Sequence, residues 1–384
     1  MRAHFASLLL LLPAVVIATG SIDNLEYPAV ARRQHKHRHA NARAQNQRQS
    51  INPPAAVRDD LDRRSENTIE HVAWPGYELV DKWQGDNFFD DWWFYTTSDP
   101  THGLVTYVNQ STATALGLAY IEKNGRAVMK VDSTTDLAYG VHRNSVRITT
   151  NKAYNHGLFV LDAEKYPYGC SVWPAWWMKG PSWPNNGEID LFEGVNLNTQ
   201  NQNTAHTAAN CSINPHPRNP DFIVPNSSAT LGLTDCGPSA TNSGCYFVDN
   251  NMHSYGAGLN AGGGGVIALE WTSEGLRIFN FPRGQVPLDL TLGIPTPELW
   301  SKTHLKSAFD SSTCNADTYF RNMSMVFDIT LCGDWAGSSS VYASSGCPGN
   351  CTEQVMTGSN FVNALWEINS VKVYQKESNG WCWS

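Results

Sequence analysis

Glu188-Ile189-Asp190-Leu191-Phe192-Glu193 places three carboxyl groups among large apolar residues within a single short segment. On a strand Glu188 and Asp190 share a face, because side chains alternate with period two, while Glu193 falls on the opposite face. One β-bulge near Leu191 or Phe192 would add a residue and return Glu193 to the side of the other two. Carboxylates held in such a row raise each other's proton affinity, since like charges in a partly desolvated cleft cannot all ionise cheaply. A protonated acid beside an ionised one is what glycoside cleavage requires, and in retaining enzymes the pair stands about 5 to 5.5 Å apart. Glu side chains are long enough to converge on one anomeric carbon from neighbouring positions. A calcium cage and a solvated acidic strand are the alternatives. The apolar interleaving argues against calcium, and Trp173, Trp176, Trp177 and Trp183 just upstream argue against a solvated strand. Spacing and composition alone leave a catalytic row and a structural role both open.

The elements that would carry this row read as β-structure. Ser145 to Thr150, Gly157 to Leu161, Val266 to Trp271, Leu276 to Phe281, Ser324 to Leu331 and Val371 to Tyr374 are short β-type runs separated by Gly, Pro and Asn. No long stretch has convincing 3.6-residue apolar periodicity, and no internal repeat suggests a propeller or solenoid. The pattern predicts an all-β sandwich or barrel. Gly262 to Gly265 reads as a loop between strands, since no Gly-Lys-Ser/Thr follows to make a phosphate cradle.

The chain has 384 residues, 41% of them hydrophobic and 16% charged, which excludes a mini-protein and a mostly disordered chain. Phe5 to Ile17 is too short to span a bilayer and sits where a secretory signal belongs, so residues 1–20 are expected to be cleaved, leaving no membrane anchor. Residues 21–70 read as a disordered leader, propeptide or linker, with dibasic pairs Arg32-Arg33 and Arg63-Arg64. Within it His35, His37 and His39 allow a metal or anionic-surface patch, against the plainer reading of a proteolytically trimmed segment. Residues 71–376 form the expected catalytic body and 377–384 a tail. Residues 1–64 hold 10 Lys+Arg and 5 Asp+Glu of the chain's 27 and 35, so the remainder carries 17 against 30, a net −13. A body that acidic repels phosphate backbones, which excludes nucleic acid and leaves neutral polymers as partners. All 14 Trp follow residue 70. Nine Cys, without zinc-type spacing, fit four disulfides of undetermined connectivity with Cys382 left over. Sequons at Asn109, Asn210, Asn226, Asn322 and Asn350 fit a secreted glycoprotein, extracellular or in the cell wall.

The Glu188-Ile189-Asp190-Leu191-Phe192-Glu193 run resembles the E-x-D-x-x-E signature of glycoside hydrolase family 16. Trp173-Pro174-Ala175-Trp176-Trp177 and Trp183-Pro184-Asn185-Asn186-Gly187 are similar to its fungal laminarinase, or endo-1,3(4)-β-glucanase, branch. Asp99-Pro100-Thr101-His102-Gly103, Arg143 to Ile148, Ala205-His206-Thr207 and Cys332 to Gly337 match in the same order, so the resemblance runs from about Tyr77 to Gln375. Cys382, the tail and residues 21–70 fall outside it. Met178 to Ser182 also departs, being less acidic than in those relatives, which puts the preferred glucan at the adjoining subsites in doubt.

The resemblance implies a concanavalin-like β-jelly-roll sandwich with a concave glucan cleft, and secreted, endo-acting, retaining cleavage of β-1,3 or mixed β-1,3/1,4 linkages. By motif, Glu188 is the nucleophile, Glu193 the acid/base, and Asp190 the group between them that sets the coupled proton affinities. Trp177, Trp183 and Trp335 would line sugar subsites, with Trp173 and Trp176 filling the core. Arg147 and His206 would hydrogen-bond sugar hydroxyls or position the acids, although Arg147 also fits an ordinary ion pair and His206 a packing role. No cofactor or catalytic metal is implied; a structural calcium on the convex side is allowed but not placed. The expected partner is a β-glucan polysaccharide, with no membrane partner, and the protein is expected to be a monomer. A wall-remodelling β-glucan transglycosylase shares the same acid row, and a non-catalytic glucan-binding protein shares the sandwich.

Overall fold

The computed structural model describes residues 76–376. The expected signal peptide, the leader with its histidines, and the tail with Cys382 lie outside the described residues. β1 (Tyr77–Trp83), β4 (Ala119–Ile121), β5 (Ala127–Lys130), β8 (Gly157–Lys165), β14 (Gly265–Thr272), β15 (Gly275–Pro282), β16 (Leu305–Asp310) and β18 (Leu365–Lys376) form one sheet. Its spatial order is β16-β15-β14-β8-β18-β5-β4, with β1 also paired to β18. The second sheet contains β2 (Trp92–Phe94), β7 (Arg147–Thr150), β9 (Val172–Lys179), β10 (Glu188–Glu193), β11 (Gln202–His206), β12 (Ala229–Leu231), β13 (Cys245–Asp249) and β17 (Ser324–Leu331). They run in the order β12-β13-β11-β10-β9-β17-β7-β2, every pairing antiparallel. β3 (Val105–Tyr107) and β6 (Arg143–Ser145) make a small parallel pair.

The sandwich follows from alternation. In β17 Met325, Phe327, Ile329 and Leu331 are fully buried, while Ser324, Val326, Asp328 and Thr330 face the other way. Phe327 meets Trp366 of β18 with ring centroids 5.1 Å apart, and Phe192 of β10 meets the same indole at 5.4 Å. The core therefore sits between the two sheets, where each such side chain contributes about 1.5–3 kcal/mol by leaving water. The expected jelly-roll sandwich is what the chain adopts, and among the described residues no α-helix exceeds six residues. None of the described helices is long and apolar enough to cross a membrane.

Four disulfides join Cys170–Cys347, Cys211–Cys314, Cys236–Cys245 and Cys332–Cys351. Two of them staple the excursion from residue 332 to 351, whose first turn carries Trp335. A loop with few apolar residues is thereby held at the end of β17, the closed loops limiting its unfolded freedom.

Candidate active site

The bulge falls where the acid row needs it. β10 pairs with β9 as Glu188↔Lys179, Ile189↔Met178 and Asp190↔Trp177, then resumes one residue later as Phe192↔Trp176 and Glu193↔Ala175. Leu191 is the extra residue, and both Leu191 and Phe192 point into the core at 0% exposure. Glu188, Asp190 and Glu193 are thus returned to one face. Two asparagines of the neighbouring segment hold the irregular backbone. Asn203 Nδ2 donates to the carbonyl of Leu191 at 2.7 Å, while Asn201 Nδ2 donates to the same carbonyl at 3.1 Å and its Oδ1 accepts from the Glu193 amide at 2.9 Å. Gly187 precedes the row at φ +83°, and a Cβ there would meet the Tyr319 carbonyl at 2.6 Å, so only glycine lets the chain enter β10.

Three rungs cross this face. Glu188 lies between His206 of β11 and Lys179 of β9. Asp190 lies between Thr204 and Trp177. Glu193 is followed across the sheet by Ala175, Asp328 and Arg147. The same alternation puts Trp173, Ala175, Trp177 and Lys179 on the acid face and Trp176 and Met178 in the core.

Trp173 therefore does not join Trp176 in the core. Its indole N–H donates to Glu193 Oε1 at 2.9 Å, and Trp335 meets it edge to face at 5.7 Å. Trp177 faces the site as expected, donating from Nε1 to Asp328 Oδ2 at 3.2 Å. Trp183 stands 46% exposed, its ring 6.3 Å from the His206 ring. His206 Nε2 lies 3.9 Å from both Glu188 Oε1 and Asp190 Oδ2, beyond hydrogen-bond reach. Arg147 is buried, 3.7 Å from Asp328 Oδ2, with its guanidinium 4.6 Å from the Tyr95 ring and 5.0 Å from that of Trp177. Beside it a groove of about 290 Å³ is lined by Trp93, Tyr95, Arg147, Lys179, Asn322 and Ser324, among others.

Burial dominates the electrostatics. It pushes Glu188 up to about 7, against the lowering pull of the Trp183 indole and the Arg147 guanidinium. Glu193 rises further, to about 8, by burial and by the charges of Glu188 and Asp328. Asp190, between them, is pushed well above its usual range by burial and then by both glutamates, and its Oδ2 has no hydrogen-bond partner. Burial also lowers His206 to about 4, leaving it neutral near pH 7. All three acids of the row are thus held above the ordinary carboxylate range, with Asp190 flanked by both glutamates. Ligand atoms of Glu188, Asp190 and His206 lie within 4.8 Å of one another. That set, two carboxyl groups and an imidazole, supplies too few oxygens for the multi-oxygen cage of calcium.

Asn201, Asn203 and Asp328 are the participants that motif reading missed. Asp328 had a signal, since Ser324, Val326, Asp328 and Thr330 alternate with an apolar set and put a carboxylate on the non-core face. The asparagines had none, because their role depends on which backbone carbonyls the bulge exposes.

Paired acids of unequal proton affinity, set among indole rings on one open sheet of a β-sandwich, define a glycoside hydrolase. Residues 92–374 match the family profile described as "XgeA-like, catalytic GH16 domain". The chain belongs to glycoside hydrolase family 16. It is 40% identical over 315 residues to a probable endo-1,3(4)-β-glucanase of Aspergillus niger, covering 79% of this chain but 41% of that one, so the chain spans less than half of that relative's length. Among solved structures it is similar to Laminarinase 16A from Phanerochaete chrysosporium with β-glucans in both donor and acceptor sites (36% identity, 78% of this chain and 99% of that one, TM-score 0.73). It is also similar to an elongating family 16 β-1,3-glucosyltransferase (34% identity, 78% and 100%, TM-score 0.70).

Proposed function

We propose that this protein is a secreted endo-acting hydrolase of β-1,3 and mixed β-1,3/1,4 glucans, working by retaining double displacement. The observation that carries the reading is the Leu191 bulge, which sets Glu193 on the face of Glu188 and Asp190. Glu188, in its ionised form, attacks the anomeric carbon while Glu193, protonated, gives its proton to the departing glycosidic oxygen. This leaves a glycosyl ester on Glu188 and a new sugar hydroxyl. Glu193, now a carboxylate, takes a proton from water as that water attacks the same carbon and releases Glu188. Two inversions give net retention. Asp190, between the two glutamates, sets their coupled proton affinities as the Glu188 charge changes. Nucleophile and proton donor are both side chains, so no cofactor enters.

The exposed Trp183 and the aromatic edge of the groove suit the apolar C–H face of a pyranose. Trp335, Arg147 and His206 would complete the subsites, His206 as a neutral hydrogen-bonding group. Four disulfides support an extracellular or cell-wall location, and we take the working unit as a monomer.

Reducing-sugar release from linear β-1,3-glucan, mixed-linkage β-glucan, cellulose and β-galactan tests this, with Glu188→Gln as the blank. Cleavage of the first two alone, lost in the variant, supports the reading. Normal turnover by Glu188→Gln would remove Glu188 as nucleophile. Glu193→Ala should keep cleaving substrates with good leaving groups and be rescued by azide.

A second reading is favoured by the 34% identity to an elongating glucosyltransferase. In it a second sugar replaces water at the glycosyl ester. Products longer than the starting oligosaccharide at modest acceptor concentration would select it.

A further inference from the structure

We infer that Asp328 is a positioning residue of this reaction, fixing Trp177 on the acid face and Arg147 at the wall of the neighbouring groove, and standing as a fourth carboxyl group toward the acid row. The inference rests on the glycosidase reading above and adds a residue to it.

The register sets up the relationship. Glu193, Ala175, Asp328 and Arg147 occupy one rung across β10, β9, β17 and β7. Two strand spacings separate the Cα atoms of Glu193 and Asp328, roughly 9–10 Å. The residue between them is alanine, so only a methyl group stands between the two carboxyl-bearing chains. On its other side Asp328 Oδ2 accepts from the Trp177 indole at 3.2 Å and lies 3.7 Å from Arg147 Nη1. Trp177 and Tyr95 then hold the guanidinium between their rings. One carboxylate thus touches both the indole and the guanidinium that stack on each other.

A buried ion pair is a weak source of stability, because desolvation offsets its attraction. Asp328 is 7% exposed, and what it does supply is geometry and field. Facing it are Arg147 from β7, Trp177 from β9, Glu188, Asp190 and Glu193 from β10, Tyr107 from β3, and Asp99 from the segment before β3. Burial, opposed by Arg147 and helped by Asp99, raises Asp328 to about 7. Its negative charge in turn raises all three acids of the row.

The test is the pH dependence of kcat/KM on β-1,3-glucan for wild type, Asp328→Asn and Asp328→Leu, with thermal melting of each. Asp328→Asn keeps the size and an acceptor for Trp177 but removes the charge. Both limbs should move to lower pH by about half a unit to one unit, because a nearby negative charge has been lost, with little change in KM. Asp328→Leu also removes the acceptor, and KM should rise several-fold as Trp177 and Arg147 loosen. Arg147→Met, which strips the counter-charge and leaves Asp328, should move the acidic limb upward. Limbs unmoved in folded Asp328→Asn overturn the inference, and so does failure of both Asp328→Asn and Arg147→Met to fold, which would assign the pair to stability alone. Absence of glucan cleavage by the wild type would instead overturn the proposed function.

Discussion

The Trp173 indole N–H donates to Glu193 Oε1 at 2.9 Å and favours the ionised form of a carboxyl that burial, even against this bond, raises to about 8. Glu193 has to be an acid in one half-reaction and a base in the next, and this bond serves the second role. Trp173→Phe keeps the ring against Trp335 and removes the donor. Glu193 should then hold its proton more tightly, so the alkaline limb of kcat/KM moves to higher pH. Hydrogen bonds to charged groups are worth about 1.5–3 kcal/mol, so turnover of the glycosyl ester should slow roughly tenfold or more. A pre-steady-state burst with an activated aryl glycoside would show the ester accumulating; an unchanged alkaline limb would separate Trp173 from Glu193.

Asn203 holds the bulge through the Leu191 carbonyl at 2.7 Å and the Asp190 carbonyl at 3.3 Å, from a side chain 1% exposed. Asn203→Ala should cost about 1–3 kcal/mol by leaving buried backbone oxygens under-satisfied. It should also lower kcat more than it raises KM, since the bulge aims Glu193. Melting curves and steady-state kinetics on one preparation check both. Lost stability with unchanged kcat would mean that Asn201 and β9 pairing suffice to maintain the acid row.

The acid row and its bulge could be read in advance because period-two alternation is strict, so a five-residue gap between Glu188 and Glu193 demands one extra residue. The sandwich followed from runs such as Ser324 to Leu331, which is a strand over its full length. Clustering suggests bulk for the core, but Trp173 stands three residues from the buried Trp176, an odd spacing that turns it to the opposite face of β9. Disulfide partners could not be derived, since eight cysteines in loops and strand ends carry no periodic signal. Arg147 sits on the acid face and also in an ion pair, so neither expectation excluded the other.

Lys179 belongs to the Met178 to Ser182 stretch that departs from its relatives, and it stands directly across from Glu188 on β9. Burial and the Arg147 charge lower its proton affinity, while Glu188 raises it. The ammonium in return lowers that of Glu188. Lys179→Met should therefore raise the acidic limb of kcat/KM and cut activity near pH 5 several-fold, with a smaller loss at pH 7. Comparing wild type and variant on linear and mixed-linkage glucan would also show whether the ammonium selects substrate. An unmoved acidic limb would confine Lys179 to the groove wall.

Four carboxyls of this face have raised proton affinities: Glu188 and Asp328 at about 7, Glu193 at about 8, and Asp190 well above its ordinary range. In the unfolded chain they titrate near 4. A carboxyl raised on folding stabilises fully below its unfolded value, and that contribution is lost as pH climbs through the folded one. His206, lowered to about 4, works in the opposite sense between pH 4 and 6.5. Above pH 6.5 its contribution is constant and the acids act alone. The melting temperature should accordingly fall between pH 6.5 and pH 8, by roughly 2–4 °C for each kcal/mol lost in a domain of this size. Glu193→Gln, neutral at every pH, should flatten that slope while abolishing normal turnover. A slope equal to that of the wild type would show that Glu193 titrates alike in the folded and unfolded chain, and its raised proton affinity would lose its basis.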